Sequence, residues 1–230
     1  MRLDKYISNA TDLSRTDAKR LIKNAVVTID DIIANNPARK ITADEIVAIE
    51  GSAINRAQSR YFMMNKPAGV VSVTKDLNNP TAIGLMYEHR SDELQIAGRL
   101  DIDTTGLLLI TDDGKWNHRL TSPRSDCAKI YAVGLAEPIG EDYQSNLAAG
   151  VLLDGEKHRC LPASMEQIDD YHLTLRIAEG KYHQVKRMFA ALGNHVVSLH
   201  RFQVGDIVLD TELEPGDYRP LTNLEVASIL

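Results

Sequence analysis

Gly98-Arg99-Leu100-Asp101-Ile102-Asp103-Thr104-Thr105-Gly106-Leu107-Leu108 is the stretch around which the larger part of this chain is organised. Two glycines bracket charged and hydroxyl residues just before an apolar run, which predicts a polar loop that leads into a buried strand. A rigid sheet braces such a loop, so an acid on it suits a functional site. Spacing alone favours a structural role for Asp101, because Asx turns before strands are common. Asp103 adds a second carboxylate, but side chains at i and i+2 of a loop do not define the separation that glycoside hydrolysis needs.

Short extended runs alternate with helices on both sides of this loop. Five segments have the composition of strands: Tyr61 to Asn65, Leu107 to Thr111, Ile130 to Gly134, Leu173 to Ile177 and His195 to Val204. The clearest helix follows Gly180, because apolar residues recur at i, i+3, i+4 and i+7 from Val185 to Leu192 and Gly193 can end it. The pattern predicts an α+β domain with a mixed sheet.

The first forty residues differ from the rest of the chain in charge. They contain eight basic and five acidic residues, a net charge of +3, whereas the whole chain carries −6, which leaves −9 for the remainder. Ser14 and Asp17 predict the start of an amphipathic helix. Its polar face carries four cations, Arg15, Lys19, Arg20 and Lys23. Such a stripe suits a phosphate backbone, although a basic helix face taken alone is more often only solvated.

The 230 residues suit one small and one medium domain. Residues 26–29 and 46–49 are predicted to be strands, so residues 1–50 form a small α/β domain with two helices. The segment 51–59 is polar and lacks periodicity, which predicts a linker. Residues 60–230 then form the second domain.

Composition excludes several classes of protein. A hydrophobic content of 43% with 25% charged residues is typical of globular chains rather than disordered or fibrous ones. The apolar runs are far shorter than a membrane span, and the N-terminus lacks the apolar core of a signal peptide, so we expect a cytoplasmic protein with no membrane partner. Cys127 and Cys160 form neither a CxxC pair nor part of a ligand cluster, so we expect packing roles and no metal site.

Four motifs in the larger domain resemble those of one enzyme superfamily. Gly-Arg-Leu-Asp followed by Thr-Thr-Gly-Leu-Leu, at residues 98–108, resembles the catalytic motif of the RsuA and RluA superfamily of pseudouridine synthases. Asn65-Lys66-Pro67-Ala68-Gly69-Val70, Lys129-Ile130-Tyr131, and the segment from Glu179 to Phe189 resemble its other motifs, in the same order. The resemblance covers nearly all of residues 61–225 and is greatest for the RsuA branch. It implies a mixed, largely antiparallel sheet flanked by helices.

The N-terminal residues resemble the S4 RNA-binding domain. Arg2-Leu3-Asp4-Lys5, Ser14-Arg15, Ala18-Lys19 and a Val-x-Ile-Asp turn follow the order of that domain up to about residue 48. Asn24 and Asp30-Asp31 depart from the usual pattern, which commonly has glycine before the strand and in the turn. The resemblance implies that RNA is bound by six cations, Arg2, Lys5, Arg15, Lys19, Arg20 and Lys23.

The same resemblance implies roles for individual residues of the larger domain. Asp101 would act on the C1′ side of the ribose, as a nucleophile or as a base. Arg187 would pair with Asp101 in a two-pronged contact that lysine reproduces poorly. Tyr131 would pack against the target base and is a candidate for moving the C5 proton. Four further residues are expected to bind substrate or to fix the loops of the site: Lys66, Arg99, His183 and Leu199. Without the resemblance, Arg187 could equally be an ordinary surface charge, and Tyr131 could equally be an aromatic residue packed in the sheet.

The function implied is isomerisation of a uridine of 16S ribosomal RNA, conventionally number 516, to pseudouridine. This reaction needs no redox cofactor or phosphate donor, and the sequence has no glycine-rich phosphate loop, so no cofactor is expected. The expected partner is 16S ribosomal RNA in a partly assembled small-subunit particle, bound by a monomer. Three alternatives stay open from sequence: a large-subunit ribosomal RNA pseudouridine synthase, a non-catalytic S4-type assembly factor, and a glycosidase or nucleosidase.

Overall fold

The computed structural model describes residues 1–55, 58–122 and 127–229. Residues 56 and 57 of the predicted linker lie outside the described residues. The chain divides into two compact units, Met1–Ser59 and Arg60–Leu230. In the described ranges, no helix combines the length and the apolar character that crossing a membrane requires.

The smaller unit consists of two helices and a four-stranded antiparallel sheet of order β2-β1-β3-β4. Its elements are α1 (Leu3–Ala10), α2 (Arg15–Lys23), β1 (Val27–Ile29), β2 (Ile32–Ile33), β3 (Val47–Ile49) and β4 (Ser52–Ile54). Ser14 caps α2 as predicted, because its side chain accepts a hydrogen bond from the Asp17 amide. Ile7, Ile22 and Val47 are fully buried between the helices and the sheet.

The linker prediction is wrong for residues 52–54, which form β4 and pair with β3. Glu50 and Gly51 both have positive φ, 50° and 79°, as a two-residue hairpin turn of the I′ type requires. Asp30 and Asp31 also both have positive φ, so they close the β1–β2 hairpin without the usual glycine. Polar composition at 51–54 therefore marks a tight hairpin rather than a linker.

The larger unit is built on a nine-stranded mixed sheet with the main order β13-β5-β7-β11-β8-β10-β9, in which β6 pairs with β7 and β12 with β11. Its strands are β5 (Tyr61–Lys66), β6 (Gln95–Ala97), β7 (Thr105–Thr111), β8 (Lys129–Leu135), β9 (Ser164–Gln167), β10 (His172–Ile177), β11 (Val196–Val204), β12 (Ile207–Val208) and β13 (Tyr218–Pro220). Its helices are α3 (Gly114–Thr121), α4 (Tyr143–Ala149), α5 (Gln184–Ala191) and α6 (Asn223–Ala227).

The central strand β7 is buried on both faces, as its unbroken apolar run requires. Leu108 and Ile110 pack into one hydrophobic cluster with Phe189 of α5, whereas Leu107 and Leu109 pack into a second cluster with residues of α3. The start of β7 pairs with β11 in parallel, and the other pairings of this sheet are antiparallel. The largely antiparallel mixed sheet expected from the sequence is confirmed. The loop before β7 consequently emerges beside β11 and β8.

Candidate active site

A cavity with a volume of 660 Å³ opens beside this loop. Four parts of the larger unit supply its walls: the loop before β7, the start of β8, the N-terminal part of α5 and the middle of β11. The expected site residues in its lining are Arg99, Asp101, Tyr131, His183 and Leu199. Residues 98–101, 129–131 and 180–186 are far apart in the chain, so the cavity is a product of the fold rather than of one motif.

Arg201 of β11 holds both ends of the loop that carries Asp101. Its Nη2 donates to the Gly98 carbonyl at 2.7 Å, and its Nε donates to the Leu107 carbonyl at 2.9 Å, while the residue is only 2% exposed. Gly106 has a φ of +99°, and a Cβ there would lie 2.2 Å from the Arg201 carbonyl oxygen, so the strands can approach only with glycine at this position. Arg201 is absent from the residues expected from the sequence. A single cation within the otherwise largely apolar strand Val196–Val204 is the signal that points to it.

Lys66 lies behind the loop rather than in the cavity. Its side chain is fully buried, and its Nζ donates to the carbonyls of Pro67 at 2.8 Å, Val70 at 2.7 Å and Ile102 at 3.4 Å. Burial lowers the pKa of Lys66 to about 8, against the opposing effect of two nearby aspartates. Of the two expectations for Lys66, substrate binding or loop fixing, the described contacts favour loop fixing, because its ammonium group joins the loop after β5 to the loop that carries Asp101.

The Asp101 carboxylate faces two basic side chains of the segment that begins α5. His183 Nε2 lies 3.3 Å from one carboxylate oxygen, and Lys186 Nζ lies 3.5 Å from the other. The Asp101 side chain is 26% exposed, so it is accessible from the cavity while these two side chains, which also line the cavity, hold it in place. Lys186 Nζ also lies 2.5 Å from Asp103, and this contact holds the pKa of Asp103 below its usual value. A carboxylate placed in this way is oriented for chemistry on a bound ligand.

The expected ion pair between Arg187 and Asp101 is wrong, and Lys186 occupies that place. Arg187 points away: Nη1 and Nη2 both lie 3.3 Å from Glu156, and Nη2 donates to the Asp154 carbonyl at 2.7 Å. Arg187 is also absent from the cavity lining, which includes Lys186. Successive residues of a helix project about 100° apart, so only one of two adjacent cations can face the loop. The helical rotation of α5 selects Lys186.

Tyr131 stands on the cavity side of the sheet, opposite Arg201. The two residues are cross-strand partners between β8 and β11, and Leu199 lies two residues before Arg201 on the same face. Tyr131 is 8% exposed, and within the described parts of the chain its hydroxyl has no hydrogen-bond partner. A buried aromatic ring with an unpaired hydroxyl next to a cavity can stack on a planar ligand and exchange a proton with it.

His183 and Arg99 lie at the cavity rim. His183 has a φ of 47° and stacks on the exposed ring of Tyr182, with ring centroids 3.8 Å apart. This left-handed conformation, which is uncommon outside glycine, turns the His183 ring back toward Asp101 just before α5 begins. Arg99 is exposed beside Asp101.

The basic residues expected to bind RNA in the smaller unit fall into two groups. Arg2 and Arg15 both contact the fully buried Asp4 carboxylate, at 2.9 and 3.1 Å, and their hydrogen bonds lower the pKa of Asp4 to about 2, the contact from Arg2 contributing most. Arg20 pairs with Asp17 on the surface. The other three, Lys5, Lys19 and Lys23, are exposed and form no ion pair with any described residue. The uncompensated charge of this unit is thus carried by lysines.

The described residues contain no group of three or more His, Cys, Asp or Glu side chains that could hold a metal ion. Both cysteines are buried and not joined in a disulfide, and burial raises the pKa of Cys160 to about 11, so its thiolate is scarce at neutral pH. The Asp101 carboxylate lines the cavity and is 26% exposed, so it can reach a bound ligand.

Comparison with known proteins assigns this arrangement to a family. Residues 60–191 match the RNA pseudouridylate synthase family. The chain is 51% identical over 229 residues to the ribosomal small subunit pseudouridine synthase A of Vibrio cholerae, an alignment that covers all of this chain and 99% of the relative. It is 49% identical over 231 residues to the protein of the same name from Escherichia coli, with both chains fully covered. A crystal structure of a pseudouridylate synthase superposes over the full length of both chains with a TM-score of 0.73 and 45% identity.

Proposed function

This chain belongs to the RNA pseudouridylate synthase family, and from that premise we propose that its substrate is one uridine of 16S ribosomal RNA, the position conventionally numbered 516. The chain is accordingly an enzyme, a pseudouridine synthase that acts on RNA. Its small-subunit target is supported by full-length relatives at 49–51% identity whose names specify the ribosomal small subunit. We propose that it acts in the cytoplasm as a monomer on partly assembled small-subunit particles.

One observation carries the proposal: the Asp101 carboxylate faces a cavity and is oriented by His183 and Lys186, which line the same cavity. Conversion of uridine to pseudouridine breaks the bond between C1′ and N1, turns the base, and joins C1′ to C5. Departure of the base leaves positive charge at the sugar, as in glycoside hydrolysis. A carboxylate can capture that centre or remove a neighbouring sugar proton. In both routes the carboxylate must face the sugar, so we assign Asp101 to the C1′ side.

Tyr131 and Leu199 suit the base of the same nucleotide. A uridine must leave its stack to reach a buried carboxylate, and the extruded base then needs an apolar or aromatic surface to replace its stacking neighbours. The Tyr131 ring and the Leu199 side chain stand on the same sheet face, both at the cavity. We propose that the base packs on these side chains and that the Tyr131 hydroxyl exchanges the C5 proton. Arg99 and His183 at the rim suit the flanking phosphates.

We propose that the smaller unit binds the part of the RNA that lies outside the cavity. Lys5, Lys19 and Lys23 are exposed cations of this unit that form no ion pair with any described residue, and the remainder of the chain is acidic. Backbone phosphates are bound largely by such charges, and the affinity they contribute falls with salt. Replacement of these three lysines by glutamine is expected to weaken RNA binding without changing the rate at saturation.

The proposal is tested by mapping pseudouridine in unmodified 16S RNA, free and in assembling particles, after incubation with the protein. Chemical labelling followed by primer extension places each modified residue. Asp101→Asn retains the side-chain shape without the charge, and we expect it to bind RNA but form no product. Asp206→Asn is the matched control, because it removes an exposed carboxylate of the same unit that forms no described ion pair and does not line the cavity.

A single modified position formed by the wild type and by Asp206→Asn, but not by Asp101→Asn, is the expected result. If the protein modified 23S RNA instead, its substrate would be the RNA of the large subunit. Release of free uracil would indicate a nucleosidase, and RNA binding without any modified uridine would indicate an assembly factor. Full activity of Asp101→Asn would refute the assignment of the reacting carboxylate.

A further inference from the structure

Lys129 is a buried cation at the wall of the cavity, and no described residue pairs with its charge. It is the first residue of β8, it is 8% exposed, and it lines the cavity. Its Nζ forms neither a hydrogen bond nor an ion pair with any described residue. Burial lowers the pKa of Lys129, and the proximity of Arg201 lowers it further, against the opposing effect of Cys127. A largely buried lysine whose ammonium group no described residue accepts is costly to the folded protein, and no described contact gives it a structural role.

Two further polar groups in the same lining are incompletely paired. Arg201 uses Nε and Nη2 to hold the loop, and its Nη1 has no partner among the described residues. The Thr104 hydroxyl is buried and is the one described side-chain group with no hydrogen-bond partner and no contact with solvent. A buried polar group with neither a partner nor solvent contact is rare in native proteins, and its place beside two cations whose donors no described residue accepts indicates that a ligand completes this part of the lining. Two of the three carry positive charge.

The position of the two cations shows which part of an RNA nucleotide they meet. Lys129, Tyr131 and Arg201 share one sheet face, because Lys129 and Tyr131 are two residues apart on β8 and Arg201 is the cross-strand partner of Tyr131. A nucleotide extruded from RNA enters a pocket with its base foremost, since its phosphates continue into the backbone outside. Deeply buried cations beside Tyr131 therefore meet the base, and the exposed Arg99 at the rim meets the phosphates.

We propose that Lys129 and Arg201 form a cationic wall that stabilises the uracil ring as an anion during the reaction; this inference rests on the proposed function and extends it. When the C1′–N1 bond breaks, its electron pair leaves with N1, and the negative charge spreads to the O2 and O4 oxygens of uracil. After the base turns, C5 bonds to C1′ and loses its proton, and N1 gains a proton. The wall acts on the anion between these two steps.

Preorganised charges of this kind act mainly on the transition state. Lys129 Nζ and Arg201 Nη1 are held by buried strands, so they need no rearrangement as negative charge develops on the base. The neutral uracil of the bound substrate gains less from them than the departing anion does, so their effect falls on the rate rather than on RNA affinity. The nearby Asp101 carboxylate contacts His183 and Lys186 rather than the cations of the wall.

The test compares the wild type with Lys129→Met in single-turnover reactions on the RNA that the wild type modifies. Methionine retains the length of the side chain without the charge, and no described hydrogen bond is lost. We expect the rate to fall by about 100-fold, as on removal of one oxyanion donor, with RNA affinity within about twofold of the wild type. The melting temperature should equal or exceed that of the wild type, because a buried unpaired charge has been removed. Lys115→Met, which removes an exposed lysine from α3, is the control and should retain the full rate.

A second arm uses RNA transcribed with 5-fluorouridine. Fluorine withdraws electrons, so the departing base bears its negative charge more easily and needs the wall less. The penalty of Lys129→Met on consumption of the target nucleoside should then shrink to about tenfold or less. Lys129→Arg, which retains a cation, should recover part of the rate on ordinary RNA.

The outcomes separate this inference from the proposed function. An inactive wild type on ribosomal RNA would overturn the proposed function, and the cationic wall with it. An active wild type with an equally active Lys129→Met would overturn the wall alone. If weaker RNA binding explained all of the lost activity of Lys129→Met, Lys129 would be a residue that binds an RNA phosphate rather than the base. A rate penalty of the same size on both RNAs would exclude stabilisation of the leaving base.

Discussion

Substitution of Lys186 by methionine should impair catalysis far more than the same substitution at Arg187. Lys186 Nζ lies 3.5 Å from Asp101, and both side chains are about a quarter exposed. At that separation the Coulomb energy of a charge pair is about 1 kcal/mol in bulk water and about 5 kcal/mol at an effective dielectric of 20. A partly buried pair falls between these limits, and a loss of about 3 kcal/mol corresponds to a rate lower by about 150-fold.

The two variants differ in what each removes. Lys186→Met removes the cation that orients Asp101 and leaves His183 as its remaining ion-pair partner among the described residues. Arg187→Met breaks contacts with Glu156 and with the carbonyls of Asp154 and Tyr182, and of these three residues only Tyr182 lines the cavity. We expect single-turnover formation of pseudouridine to fall by about 150-fold in the first variant and by less than about fivefold in the second. Thermal unfolding of both variants separates lost catalysis from lost folding.

The opposite ranking would refute the assignment. If folded Arg187→Met lost activity and folded Lys186→Met retained it, the arginine would be the partner of Asp101 in the complex with RNA, and α5 would have to rotate when RNA binds. Arg187→Lys sharpens the comparison. It should retain most of the activity, because a lysine at that position still meets Glu156.

Three further predictions follow from the geometry. Gly106→Ala should lower the free energy of unfolding by about 3 kcal/mol or more, because its Cβ would meet the Arg201 carbonyl oxygen at a φ of +99°; denaturant titration measures this, and an unchanged midpoint would contradict it. Asp4→Asn should cost about 2 kcal/mol at neutral pH, because the pKa of Asp4 falls from 3.8 to about 2 in the folded chain. A depressed pKa contributes stability above pH 3.8 that is lost as the pH falls toward 2, so unfolding curves of wild type and variant should converge there; a difference independent of pH would argue against the Asp4 ion pairs as its cause. Tyr131→Phe should retain its stability and cleave the glycosidic bond but form product at least about 100-fold more slowly, measured as uridine lost against pseudouridine gained; a normal rate would leave the hydroxyl without a role.

Much of the larger unit could be predicted from local sequence. The five predicted strand segments lie in or largely within β5, β7, β8, β10 and β11, because long runs of apolar and β-branched residues give a clear signal. The strands β6, β9, β12 and β13 have two to four residues, too few for a period to be counted. The parallel contact of β7 with β11 joins residues 95 positions apart, as in the Thr105–His200 pair, and local sequence does not specify it.

The residues of the site also fall into two groups, those that local sequence predicts and those that depend on contacts between distant parts of the chain. Asp101 and Tyr131 follow from motifs that are continuous in sequence, and the structure brings both to one cavity. The partner of Asp101 could not be predicted, because Lys186 and Arg187 are adjacent cations and the choice depends on how α5 is rotated after the left-handed His183. Arg201 was missed because an arginine in a strand is usually at a solvated position. Here the two ends of a distant loop cover it.

The roles of the cations at this site are distinguished better by the groups that each one contacts than by its solvent exposure or its sequence motif. Lys186 and Arg187 are 27% and 28% exposed, yet only Lys186 meets Asp101. Lys66 and Lys129 are both buried, but the Lys66 ammonium satisfies three backbone carbonyls, whereas the Lys129 ammonium satisfies none within the described chain. The first lysine therefore stabilises the loops in the free enzyme. The second destabilises the free enzyme, and that cost is offset only when negative charge arrives in the cavity. Retention of such a group is explained by the reaction rather than by folding, so replacement of Lys66 should lower stability and replacement of Lys129 should lower the rate.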